Sequence, residues 1–171
     1  MQLLFLRHGI AVEHGAPGYE DNDDARPLTD KGRRVTRAVA RGLKTLAAPD
    51  VILTSPLPRA RETADIVGEV LNVPVIETPL LSPNFNPPQL IDALELALTT
   101  TGRSELSQVV LVGHEPSMSA TVGALVGPGL NLLLKKTGLA RVDVTDLSMT
   151  GGQLRWLLPP GQLRRLGKRR P

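Results

Sequence analysis

At 171 residues, 41% of them hydrophobic and 22% charged, the chain is large enough for one domain with a buried core and too short for two comfortable ones. It has no cysteine, which excludes disulfides, thiolate metal sites and cysteine-nucleophile chemistry, and its two Phe, one Tyr and one Trp argue against an aromatic platform for single-stranded nucleic acid. The formal charge of +3 is uneven: Arg164 to Pro171 holds five of the 20 basic side chains and no acid, leaving 15 basic and 17 acidic residues in the body.

Gln2 to Leu6 is an apolar run that predicts a short buried strand. A polar loop follows, with Gly9, Gly15, Pro17, Gly18 and the cluster Asp21-Asn22-Asp23-Asp24, whose acids are expected to be solvated. Thr29 is placed to cap a helix running to about Leu46, with Val35, Ala38, Val39, Gly42, Leu43 and Leu46 on one face. Val51 to Leu53 predicts a second buried strand, closed by Thr54-Ser55-Pro56, and Arg59 to Leu71 a helix. Val73 to Ile76 reads as a third strand, residues 79–88 as a proline-rich loop and Gln89 to Leu98 as a helix. Val109 to Val112 is the clearest strand; the turn Gly113-His114-Glu115-Pro116 and a helix from Ser117 to Val126 follow it. Leu139 to Val144 and Leu154 to Leu158 predict two final strands, joined near Ser148 to Gly152 as an antiparallel hairpin at one edge.

Strands alternating with helices of this length predict an α/β fold, a three-layer α/β/α sandwich with a mostly parallel central sheet and an antiparallel C-terminal edge. Residues 1–160 are expected to form the domain and residues 161–171 a basic tail, a solvated end or an electrostatic handle for an acidic partner. Leu3 to Leu6 is too short for a signal peptide and meets Arg7 at once. Val122 to Leu134 is broken by Gly127, Pro128, Gly129 and Asn131, short of the roughly 20 apolar residues of a membrane span. A cytoplasmic protein without a membrane span or a nucleic-acid partner is expected, with a monomer favoured.

In open α/β sheets, ligands bind beyond the carboxyl ends of the strands. Three such ends carry reactive residues: Arg7-His8-Gly9, Ser55-Pro56-Leu57-Pro58-Arg59-Ala60 and Gly113-His114-Glu115-Pro116. Two His and two Arg then converge on one sheet edge, a set that suits a phosphoryl group. Arg presents a planar fork that matches phosphate oxygens. A neutral imidazole can hold a phosphoryl group covalently, and a second one can donate to an oxygen whose charge grows in the transition state. Ser55 is read as a turn residue that at best supports the site from behind, Arg61 and His14 as surface residues.

Arg7-His8-Gly9 after the first strand, the segment Ser55 to Thr63, the later His114 and the helix-opening Arg26-Pro27-Leu28-Thr29-Asp30-Lys31-Gly32 resemble the motifs of the histidine phosphatase superfamily, which includes the phosphoglycerate mutases. The small size and the Gly-His-Glu-Pro turn resemble its SixA-type phosphohistidine phosphatases, over about residues 1–158. The resemblance implies a phosphoglycerate mutase-like fold and a metal-independent hydrolase without a cofactor. It implies His8 as the nucleophile, Arg7 and Arg59 as phosphate ligands beside Gly9, and His114 completing the pocket.

Phosphomonoesterases of that superfamily protonate the leaving alcohol with a carboxylic acid, often after the third strand, where this chain reads Pro79-Leu80-Leu81-Ser82-Pro83. Glu77 and Glu115 are poor substitutes. An imidazole leaving group needs less help than an alkoxide, which favours phosphohistidine on a partner protein, a phosphotransfer domain or histidine kinase, as substrate. The short chain also leaves little sequence for a lid, and an open pocket suits a side chain presented by another protein. The alternatives are a phosphomonoesterase of a small metabolite using Glu77 or Glu115, a phosphoprotein-binding module with weak catalysis, and metal-dependent hydrolysis using the His residues with Asp21 to Asp24.

Overall fold

Apolar runs without alternation belong in strands covered on both faces. Strands β1 (Gln2–Arg7), β2 (Val51–Thr54) and β4 (Gln108–Gly113) are such runs, and their central residues are fully buried. With β3 (Val75–Glu77), β5 (Leu139–Asp143) and β6 (Gln153–Leu158) they form one six-stranded sheet in the order β3-β2-β4-β1-β5-β6. The computed structural model describes residues 1–127, 129–145 and 151–168.

The pairs β1–β4, β4–β2 and β2–β3 are parallel, whereas β5 runs antiparallel to β1 and β6 antiparallel to β5. The predicted mixed sheet with an antiparallel C-terminal edge is the one observed. Register decides where the chemistry sits. Leu6 pairs with Val112 and Thr54 pairs with the same Val112, so β1, β2 and β4 end level with one another. Leu6 also pairs with Leu139 and Leu139 with Leu158, so the start of β5 and the end of β6 lie at that same edge.

Successive side chains of a strand point to opposite faces. Leu3 and Phe5 pack with Leu90, Ala93 and Leu94 of helix α3 (Gln89–Thr101) and with Met118 and Val122 of α4 (Ser117–Val126). Leu4 and Leu6 pack on the other face with Val39 and Leu43 of α1 (Asp30–Leu43) and with Ala60, Ala64 and Val67 of α2 (Pro58–Leu71). These are the three layers expected.

Boundaries move for local reasons. The Thr29 side chain caps α1 by accepting from the Gly32 amide, as predicted, but the helix ends at Leu43 rather than Leu46. Helix α3 runs past Leu98 to Thr101, where Thr99 and Thr101 donate to the carbonyls four residues back and Gly102, at φ 65°, closes it. Asn72, at φ 60°, closes α2, and β3 begins at Val75 rather than Val73.

The tail predicted from residue 161 does not start there. Pro160–Leu166 forms a fifth helix, α5, opened by a proline at its first position. Its Leu163 is fully buried in the α1 layer, while Arg164 and Arg165 face solvent. A Cβ on Gly42 would fall 1.9 Å from the Leu163 carbonyl oxygen, so α1 needs glycine where α5 crosses it. The sequence pattern missed this helix because its charge masked a single buried leucine. Leu163→Ala is expected to cost about 2–5 kcal/mol in denaturant unfolding. A loss under about 0.5 kcal/mol, the range of surface substitutions, would contradict the packing. The last three residues of the tail and residues 148–150 of the predicted hairpin turn lie outside the described residues. Among the described residues no helix is long and apolar enough to cross a membrane.

Candidate active site

At the end of β1 the chain stays tethered to β4, because the His8 amide donates to the Gly113 carbonyl at 3.0 Å. His8 Nδ1 lies 2.8 Å from the Gly9 carbonyl oxygen. A carbonyl can only accept, so Nδ1 carries the ring proton and Nε2 keeps its lone pair. Gly9 is itself held: its amide donates to Thr63 Oγ1 at 2.9 Å, and that hydroxyl donates to the Arg59 carbonyl at 2.7 Å. A Cβ at position 9 would come 2.7 Å from Thr36 Oγ1 and 3.0 Å from Leu28, so any side chain there displaces the loop that orients His8.

The end of β2 supplies Ser55 and, at the second residue of α2, Arg59. The end of β4 supplies His114, whose ring centroid is 5.1 Å from that of His8. Ser55 Oγ accepts from the Leu57 amide at 3.3 Å and lies 2.9 Å from His114 Nε2. This contact engages Nε2 and leaves Nδ1 as the His114 ring nitrogen without a protein partner. Arg7 Nη1 donates to the Leu134 carbonyl at 2.8 Å. Arg59 Nη1 donates to the Asp23 carbonyl at 2.9 Å, and its Nη2 lies 3.6 Å from the Asp23 carboxylate. Arg26 grips that carboxylate through Nε and Nη2 at 2.8 and 2.7 Å.

All four predicted residues therefore lie at one sheet edge, deeply set: His8 is 7% exposed, Arg59 4% and His114 3%. Among the described residues, five buried side-chain polar atoms have no hydrogen-bond partner. Three belong to this cluster: Arg7 Nε, Arg59 Nε and His114 Nδ1. Buried polar groups normally find partners, so three orphaned nitrogens in one place imply a ligand that accepts hydrogen bonds.

Burial, reinforced by the Arg59, Arg7 and Lys136 charges and opposed by the Gly9 hydrogen bond, brings His8 down from 6.5 to about 3. Burial and the neighbouring His8, Arg59, Arg7 and Arg26 bring His114 down to about 3 as well. Burial and Arg26 also lower the Arg59 guanidinium, while Asp23 and Asp24 oppose them. Both imidazoles are thus neutral at physiological pH, among guanidinium groups that stay charged.

The unfolded chain protonates His8 near 6.5 and the folded protein only near 3. Between those values the unfolded state binds more protons, so the His8 contribution to stability is complete above 6.5 and is lost as pH falls. His8→Asn removes that sensitivity. Its unfolding free energy is expected to gain on the wild type by up to about 1.4 kcal/mol per unit of pH decrease, read from denaturant titrations between about pH 7 and pH 5. A constant difference would mean that His8 titrates at its ordinary value.

Other expectations are corrected. Asp23 is not simply solvated: it is half-buried and ties the 13–27 loop to Arg59 and Arg26. Asp21 and Asp24 are exposed. Glu115 Oε1 accepts from Ser119 at 2.6 Å and from the Leu134 amide at 2.9 Å, which makes it a brace for the residue that holds Arg7. Glu77 forms a surface pair with Arg61, which also meets Asp65. His14 is exposed, 3.9 Å from Asp23. No three His, Asp or Glu side chains among the described residues gather as metal ligands. Asp23, Arg26, Ser55, Thr63 and Leu134 are the supporting residues that the sequence reading did not assign.

Residues 3–83 match the family model described as histidine phosphatase superfamily (branch 1). The chain is 29% identical to the phosphohistidine phosphatase SixA of Escherichia coli K12 over 168 residues, 96% of this chain and 97% of that protein. An uncharacterised protein of Picosynechococcus is 37% identical over 142 residues, 81% of this chain and 82% of its own length. Among solved structures, that of a protein histidine phosphatase SixA complexed with tungstate superposes with a TM-score of 0.77 at 31% identity, covering 95% of this chain and 99% of the other.

Proposed function

The chain belongs to the histidine phosphatase superfamily, and on that footing we propose that it hydrolyses phosphohistidine on a partner protein by way of phosphorylated His8. The observation that carries this reading is the hydrogen bond from His8 Nδ1 to the Gly9 carbonyl, which leaves Nε2 unprotonated among orphaned Arg and His donors.

His8 Nε2 attacks phosphorus; the Nε2–P bond forms as the P–N bond of the substrate breaks. Arg7, Arg59 and His114 donate to the phosphoryl oxygens, where charge is stabilised during transfer. When the far nitrogen of the substrate ring carries a proton, the ring leaves as neutral imidazole and no acid is needed at the broken bond. Water then attacks phosphorus and yields phosphate. His8 leaves as a neutral imidazole too, because Gly9 keeps its Nδ1 protonated. The two half-reactions have chemically matched leaving groups, which suits one unaided site.

Two of the three candidate carboxylates support this choice over an ester. Asp23 is held by Arg26, Glu115 by Ser119 and the Leu134 amide, and Glu77 by Arg61. Asp23 and Glu77 are thereby held in ion pairs away from an alkoxide, which badly needs a proton, while Glu115 keeps one buried oxygen, Oε2, without a partner among the described residues. The oxyanion that occupies the SixA relative, tungstate, resembles phosphate in charge and shape. The test is a rate comparison among a histidine-phosphorylated phosphotransfer domain, acetyl phosphate and p-nitrophenyl phosphate. The phosphohistidine substrate is expected to react fastest; faster cleavage of the ester would overturn the reading.

A further inference from the structure

We propose that a patch formed by Leu133, Leu157 and Pro159 and flanked by Lys135 is the surface on which the phosphohistidine-bearing protein docks; this rests on the function proposed above. Leu133, Lys135, Gly138, Leu157, Leu158 and Pro159 line one shallow depression. Leu133 is 69% exposed and Leu157 40%, and they are two of the three exposed large apolar side chains among the described residues. Single exposed leucines are ordinary, but two in one depression with a proline are not.

The depression adjoins the nucleophile. Leu134, next to Leu133, accepts from Arg7 Nη1, and the Gly138 carbonyl accepts from the Arg7 amide at 3.2 Å. The Thr137 amide donates to the carbonyls of Arg7 and His8. Leu158 pairs with Leu139, and Leu139 with Leu6, two residues before His8. The patch is thus the continuation of the site along the sheet edge.

Its charge selects among occupants. Lys135 and Lys136 are exposed and form no ion pair among the described residues, and Lys136 is near enough to bear on His8. A protein presenting a phosphoryl dianion on a surface with apolar side chains complements a cationic, apolar rim. A second copy of this chain would set these lysines against the same rim, because a twofold contact brings like surfaces together.

The experiment compares a histidine-phosphorylated phosphotransfer domain with free phosphohistidine, using the wild type, Leu133→Asp and Lys135→Glu. The wild type is expected to favour the domain by about tenfold or more in kcat/KM, and each variant to lose about tenfold on the domain with an unchanged rate on the free amino acid. Equal rates on the two substrates for the wild type, or variants that keep the wild-type rate on the domain, would overturn docking here while leaving the chemistry intact. Parallel losses on both substrates would also overturn it. A wild type inactive on both would overturn the proposed function and the docking surface with it.

Discussion

His8→Ala is expected to lower turnover of a phosphohistidine substrate by about 10⁴-fold or more, the scale on which removal of a covalent nucleophile acts in a preorganised site. The size follows from the lack of a substitute. His114 is the neighbouring imidazole, but its Nε2 is engaged with Ser55, and its proposed part is to donate to the phosphoryl oxygens rather than to attack. His14 is on the surface. The variant should keep its fold, because the backbone bonds of residues 8 and 9 to Gly113 and Thr137 and to Thr63 do not use the imidazole. Single-turnover kinetics with the phosphorylated domain reads the effect. Residual activity within about tenfold of the wild type would mean that water attacks the substrate directly, with His8 serving only to bind it.

Arg59→Ala is expected to lower kcat/KM by about 10²- to 10³-fold, the loss seen when one oxyanion donor is removed. Arg59 is buried, its Nε has no partner, and its charge bears on both imidazoles. The same residue also anchors the Asp23 carbonyl, so part of any loss could come from release of the 13–27 loop. Two variants separate the contributions. Asp23→Ala removes the carboxylate that Arg26 grips and leaves the guanidinium and its bond to the residue 23 carbonyl, and its rate should change by less than about tenfold. Arg59→Lys keeps charge but not the fork, and should recover only part of the loss. If Asp23→Ala were as damaging as Arg59→Ala, the Asp23 carboxylate and its pairs with Arg26 and Arg59, rather than phosphate binding by the guanidinium, would account for the loss.

The sequence made the sheet legible because its strands are of two recognisable kinds. The runs in β1, β2 and β4 are continuous and apolar, as double burial requires, and each is followed within a few residues by one that chemistry would want at a sheet edge. His8, Arg59 and His114 were therefore readable as a set before any coordinates. What supports them was not. Asp23 lies 36 residues from the guanidinium it touches, and nothing in an acidic loop distinguishes a bridging aspartate from a solvated one. Ser55 reads as a turn residue until β2 and β4 pair and bring its hydroxyl to His114. Glu115 reads as a possible acid by adjacency, yet its carboxylate turns to Ser119 and the Leu134 amide. Helix α5 failed for the opposite reason: local charge is a strong signal, and one buried leucine against Gly42 outweighs it only in three dimensions.

The central claim is a covalent bond between phosphorus and Nε2 of His8. Its most direct measurement is rapid acid-free quenching of the enzyme with a ³²P-phosphohistidine domain, followed by peptide mapping of the label. Label that is alkali-stable, acid-labile and confined to the peptide carrying His8, and absent from His8→Ala, is the expected result. Phosphate released with no label at that residue, or label on His114 instead, would contradict it.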